Sequence, residues 1–121
     1  MSTPIGPYSP IVRLGDLLVT SGQLGIVPGD DGTPTLVPGG TAAQLQQALA
    51  NGLALIEAEG AGRDDIAKAT VFVIDMAEFP AVNEVWTAFF GNHRPARTAI
   101  GVASLPMEAA VEVELWVAPS Q

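Results

Sequence analysis

The chain predicts an α+β fold with two helices on one face of a mixed sheet, and three observations carry that reading. Short apolar runs alternate with two stretches of helical periodicity in the order β-β-α-β-α-β-β. Glycines and prolines punctuate the joints between these stretches, where the backbone must turn. The length, 121 residues, suits one hydrophobic core and not two, so residues 1–121 are expected to form a single domain.

Residues 11–26 read as a hairpin, IVRL followed by LLVTSGQLGI, turned at Gly15-Asp16. Residues 27–40 are crowded with Gly and Pro and read as a loop. They lack both the Lys-Ser/Thr of a phosphate-binding loop and GxGxxG spacing. Thr41 and Gln44 have capping-box spacing and open the first helix. Leu45, Leu49, Leu53 and Ile56 then share one helical face, and Gly60 ends it. From Ile66 to Asp75 the run Val71-Phe72-Val73-Ile74 is apolar on both faces, as in a strand covered on both sides, with Lys68 near its start. Asp75 and Glu78 open a second helix, with Pro80 in its first turn. Its buried face is Val82, Val85, Trp86, Phe89 and Phe90, and Gly91 stops it. Two strands follow, Thr98–Ala103 and Val111–Val117.

The charge balance narrows the functional classes. A net charge of −8 with five Lys and Arg opposes the phosphate backbone of nucleic acids and anionic membrane surfaces. With no cysteine, disulfides, thiolate nucleophiles and cysteine-ligated metals are excluded. The opening MSTPIGPYSP lacks the basic and apolar regions of a signal peptide, and no apolar run approaches the ~18 residues of a membrane span. A cytoplasmic protein is expected. A hydrophobic fraction of 48% against 15% charged residues points to apolar surface that copies of the chain bury against one another.

Arg97 is the leading chemical candidate. It stands at the mouth of an apolar strand, and alternation places it on one face with Ala99, Gly101 and Ala103, all small. A cation beside so bare a floor leaves room for a ligand anion or for closely packed backbone. Pairing with a protein carboxylate at a subunit interface fits the residues equally well. On the last strand Glu112, Glu114 and Trp116 share a face, opposite Val111, Val113, Leu115 and Val117. Two acids on one face fit a solvated surface, or a proton acceptor beside the arginine, and alternation does not choose between them. His93 reads as an exposed loop residue, and one histidine without cysteine argues against a metal site. Ser21 has no histidine partner in a local motif. Asp30-Asp31 and Asp64-Asp65 read as turn residues. Tyr8, between Gly6-Pro7 and Pro10, sits in a stiff extended segment that holds its ring in place.

Several segments together resemble the RidA (YjgF-type) family, the enamine/imine deaminases. They are IGPYSP at 5–10, LLVTSGQ at 17–23, ATVFVIDMAEFPAVNEVW at 69–86, FFG at 89–91, and RPARTAIGVASLP with VEVE between 94 and 114. The resemblance spans nearly the whole chain, and its specificity lies in the combination. It implies the chorismate-mutase-like fold, with the C-terminal strand inserted within the sheet. It also implies a homotrimer with sheets inside, helices outside and clefts between subunits. The implied activity is that of a 2-iminobutanoate/2-iminopropanoate deaminase-type hydrolase. Such an enzyme hydrolyses reactive 2-imino or enamine acids such as 2-aminoacrylate to 2-keto acids and ammonia, without metal or organic cofactor. By the family pattern Arg97 clamps the substrate carboxylate and Glu112 positions water. Tyr8, reaching across the subunit interface, joins Gly22, Trp86 and Ala99 as substrate-binding positions. Ala99 stands where many relatives have Cys, and Trp86 where Tyr is common. The alternative is a non-catalytic binder of small keto acids, with ribonuclease or holdase roles ranked lower.

Overall fold

The computed structural model describes residues 5–120. Its elements in chain order are β1 (Ile11–Leu14), β2 (Leu17–Thr20), β3 (Gln23–Leu24), β4 (Ile26–Pro28), β5 (Pro34–Leu36) and α1 (Gly40–Ala58). They continue with β6 (Ile66–Val73), α2 (Phe79–Phe90), β7 (Ala96–Gly101) and β8 (Val111–Val117). The main sheet runs β1-β2-β8-β6-β7, with β3 also paired to β8. The C-terminal strand therefore lies inside the sheet, as expected. The β6–β7 pair is parallel, joined by a crossover through α2, and the other pairs are antiparallel. No helix is long and apolar enough to cross a membrane among the described residues.

Period-2 alternation decides which face of the sheet is covered. In β6, Ala69, Val71 and Val73 are buried, while Lys68, Thr70 and Phe72 on the other face are only half-buried. In β8, Val111, Val113, Leu115 and Val117 are buried, whereas Glu112 and Glu114 are half-buried and Trp116 is exposed. The buried rows join Leu45, Leu49 and Ile56 of α1 and Val82, Val85, Trp86 and Phe90 of α2 in one core. Each fully buried leucine there contributes about 1.5–3 kcal/mol relative to exposure. The run around Val71–Ile74 was expected to be covered on both sides, but within the chain only the helical side is covered. The open face carries Val12 and Leu14, 51% and 58% exposed.

Local chemistry explains the joints. Gly15 closes the first hairpin at φ 60°, a left-handed angle that a side chain resists. At the end of α1, Gly60 at φ 88° lets Gly60 N–H donate to Glu57 O and Ala61 N–H to Ile56 O, closing the helix in a Schellman pattern. Asp75 accepts from Ala77 N–H at 2.9 Å and caps a short 3-10 turn, Met76–Glu78, that leads into α2 with Pro80 in its first turn.

Four expectations are corrected. The Gly/Pro-rich segment 27–40 is not all loop, because β4 and β5 pair as a small hairpin within it. The strand expected over Thr98–Ala103 begins at Ala96 and ends at Gly101, where pairing with β6 stops. The strand expected to run on from Leu17 breaks at Ser21-Gly22. Between Leu18 and Gln23 the chain takes five steps while β8 takes four, from Val117 to Val113. The extra residue is a β-bulge. The capping box does not form either: α1 is capped by Gly39 with no side-chain bond. Gln44 is instead turned into the structure, where its Oε1 accepts from Ala110 N–H at 2.8 Å. That donor has more to lose by going unpaired than an exposed helix terminus, which water serves. Gln44→Ala is expected to cost about 1–3 kcal/mol in chemical denaturation. Thr41→Ala is expected to stay within about 0.5 kcal/mol. The reverse order would restore the capping box.

Candidate active site

Arg97 is the second residue of β7 and pairs with the fully buried Ala69 of β6, so its side chain leaves the sheet on the helical side. There its guanidinium carbon lies 5.3 Å from the ring centroid of Phe79 and 5.2 Å from that of Trp86. The two rings are seven residues apart, two turns of α2, and so stand on one helical face. Trp86 is buried, with Phe90 tilted against it at 5.0 Å, which makes the platform rigid. Two such contacts contribute roughly 0.5–2 kcal/mol each, enough to orient a guanidinium but not to neutralise it. Among the described residues no carboxylate lies within ion-pair distance of Arg97; the ion pair present is Arg13 with Glu59 at 3.7 Å, both exposed. The half-buried cation keeps its charge and its forked donors for something else. Phe79 was absent from the sequence reading. Its spacing from Trp86 at the start of α2 was the available signal.

Ala99 and Gly101 continue the Arg97 face of β7, opposite Val71 and Val73. A β-carbon on Gly101 would lie 3.0 Å from Met76 Cγ, so Met76 closes that end of the small-residue floor. Ala103 lies beyond the strand.

Glu112 belongs to the other face. It pairs with Phe72, one residue out of phase with the Ala69 and Val71 that oppose Arg97 and Ala99. Its carboxyl lies against the bulge: a β-carbon on Gly22 would fall 2.7 Å from Glu112 Oε2. Burial, and secondly repulsion from Glu114 on the same face, push its carboxyl above the ordinary glutamate range. The bulge is tied to the N-terminal segment, since Ser21 N–H donates to Pro10 O at 2.9 Å and its hydroxyl to Ser9 O at 2.7 Å. Ser21 thus holds the segment that carries Tyr8, whose side chain is exposed. Gly22, Glu112 and the Tyr8 segment come together, and so do Arg97, Trp86 and Ala99. The chain does not bring the two groups together, because the sheet lies between them.

His93 is not the exposed loop residue expected. It is half-buried, with Nε2 2.7 Å from Ile66 O and its ring edge-on to Phe90, and it ties the loop after α2 to the start of β6. The two aspartate pairs do include turn residues: Asp31 accepts from Thr33 N–H and hydroxyl, and Asp65 accepts from Gly62 N–H and the Ser120 hydroxyl.

The fold is that of an α+β protein with two helices on one face of its sheet, an arginine on that face with no ion pair among the described residues, and a half-buried glutamate on the other. The sequence profile of the Endoribonuclease L-PSP family matches residues 1–118. The chain belongs to this family, which includes the RidA and YjgF proteins whose motifs it carries. It is 42% identical over 113 residues to the 2-iminobutanoate/2-iminopropanoate deaminase of Escherichia coli strain K12, covering 91% of this chain and 85% of that one. The mouse protein of the same name is 39% identical over 110 residues, covering 91% and 79%. Among solved structures, the E. coli YjgF gene product superimposes with a TM-score of 0.85 at 42% identity, covering 95% and 90% of the two chains. E. coli TdcF with bound serine gives 0.86 at 36%, covering 97% and 91%.

A carboxyl whose folded value lies above its unfolded one binds protons more tightly in the folded state, so its ionisation opposes folding. Glu112→Gln is therefore expected to raise the melting temperature near pH 7. The gain should shrink as pH falls through the raised value and vanish below the ordinary carboxylate range. A scan from pH 7 to pH 4 in which the two proteins differ by a constant amount would contradict this.

Proposed function

We propose that the protein is an imine/enamine deaminase, hydrolysing small 2-imino acids to 2-keto acids and ammonia. The observation that carries the reading is the Arg97 guanidinium, held by two rings and paired with no carboxylate among the described residues. Relatives named as 2-iminobutanoate/2-iminopropanoate deaminases, and a relative's structure with bound serine, support a small ligand bearing an α-carboxylate. A planar fork takes that group through two parallel hydrogen bonds, which a lysine does not reproduce.

Glu112 supplies the base. Its ionised carboxylate takes a proton from water as the water oxygen bonds to the carbon of the protonated imine, and the C=N electron pair passes to nitrogen, leaving a neutral carbinolamine. The carbinolamine collapses: Glu112 gives its proton to the nitrogen, which leaves as ammonia, and takes the hydroxyl proton as the keto group forms, passing it on to the departing ammonia or to solvent. A carboxyl whose proton affinity is raised by burial holds and returns a proton better than an ordinary one. The demands are modest. A ligand of about six heavy atoms gains at most ~1.5 kcal/mol per atom, and an imine already reactive in water needs only about 3–5 kcal/mol of help.

Because Arg97 and Glu112 leave the sheet on opposite sides, the proposed site takes one from each of two protomers. The partly apolar open face, with Val12, Leu14, Ile100 and Trp116 exposed, supports burial between copies in a homotrimer. Tyr8 lines the Glu112 side of the cleft, and Ala99 and Trp86 lie on the Arg97 side. A ribonuclease reading takes its support from the family description, but a chain of net charge −8 with five scattered cations offers RNA no basic surface.

Arg97→Ala is expected to lower kcat/KM for 2-iminopropanoate by about 10²–10⁴-fold, the worth of two charge-assisted hydrogen bonds, without loss of assembly by light scattering. Arg97→Ala and Glu112→Gln protomers, each nearly inactive alone, should regain about a quarter of wild-type activity when refolded together in equal amounts. No recovery in verified mixed oligomers would mean that both residues serve one protomer's site, against the reading.

A further inference from the structure

No backbone angle requires position 22 to be glycine. Gly22 is not among the residues with positive φ, so other residues can adopt its backbone. Its partner in the bulge, Ser21, carries a side chain without difficulty. What a side chain at 22 would meet is Glu112. A β-carbon there would lie 2.6 Å from Glu112 Cδ, 2.7 Å from Oε2 and 3.0 Å from Cγ. Non-bonded contacts between such atoms relax only at about 3.5–4.0 Å.

We propose that Gly22 is a positioning residue, the volume of its missing side chain serving as a slot that receives the Glu112 carboxyl. The bulge builds the slot. Its extra residue carries the strand past β8 just before Leu24 pairs with Glu112, and the bonds from Ser21 to Ser9 and Pro10 fix the bulge in place. The slot itself is a matter of geometry. Only its catalytic consequence rests on the deaminase reading above.

The atoms that an added methyl would meet are the movable end of a side chain, not backbone. Alanine at 22 therefore displaces the carboxyl toward solvent and leaves the fold intact. Other ionisable groups on this face or on the segment beside it are Glu114 on β8, Lys68 on β6 and Tyr8 near the N-terminus. None of them is moved directly by a methyl at 22. A carboxyl released into water gives up its proton more readily, since burial is the first cause of its raised value.

The test is Gly22→Ala in the full-length assembled protein, read in two ways. Carboxyl-carbon NMR should show Glu112 titrating at lower pH than in the wild type. Steady-state kinetics with 2-iminopropanoate generated in situ should show kcat down about 10–100-fold with KM little changed, as for a catalytic group misplaced by about an ångström. The acidic limb of the pH–rate profile should move to lower pH with the titration. An unchanged Glu112 titration would overturn the slot, and a shifted titration with wild-type kcat would overturn its catalytic role. Wild-type protein without imine turnover would sink the deaminase reading, and the titration alone would then decide the slot. Should Gly22→Ala fail to fold, Gly22→Ala with Glu112→Ala removes the clash. Folding of that double variant supports the slot, and its failure assigns the glycine to backbone needs and ends the proposal.

Discussion

Side chains on a β-strand point alternately to the two sides of the sheet, and in this protein that alternation separates the two chemical groups of interest. β6 is the reference. Its residues Ala69 and Val71 face the helices opposite Arg97 and Ala99, while Thr70 and Phe72 face away opposite Glu114 and Glu112. A shift of one residue in either pairing would exchange the faces, driving apolar side chains into water and charges into the core. The burial of Val71, Val73, Val111 and Val113 therefore fixes the side on which each charged group emerges.

On the helical side the arginine meets aromatic rings and, among the described residues, no acid. Carboxylate pairing would have spent its charge within the protomer, whereas Phe79 and Trp86 orient the guanidinium and leave its donors unused. The other cations have different roles. Arg13 meets Glu59 in water, Arg63 lies over Phe89, and Arg94 donates to Gly91 O. On the open side the reverse problem arises, since an acid sits half out of water beside another acid. Burial raises its proton affinity, and the bulge at Ser21-Gly22 gives its carboxyl a place to lie. Each side of the sheet thus holds one group that is chemically incomplete by itself, which is the physical ground for reading the site as shared between copies.

Much of the fold was legible because it depends on local patterns. The hairpin at Gly15-Asp16, the α1 stripe of Leu45, Leu49 and Ile56, the α2 face and the β8 strand all follow from periodicity and turn chemistry. Two of the errors came where a distant group competed for a residue. Gln44 has the spacing of a capping residue, but Ala110 N–H, 66 positions away, takes its side chain. His93 reads as a loop residue until Ile66 O is brought beside it. The bulge leaves no mark in the sequence, because it is a mismatch of register between two strands nearly a hundred residues apart. The grouping of Gly22 with Glu112 and of Phe79 with Arg97 depends on the same long-range pairing.

The sequence by itself determined most of the element types and the residues capable of acid and carboxylate chemistry, since these depend on side-chain identity at intervals of two and 3.6 residues. It could name Arg97 and Glu112, but not the side of the sheet on which each would stand relative to the other. Only the tertiary structure decided that, because relative facing depends on how β7 and β8 align against β6, and an alignment is a property of paired strands. That the arginine meets aromatic rings was also decided there, since α2 had to cross over β7 before Phe79 and Trp86 could reach its guanidinium.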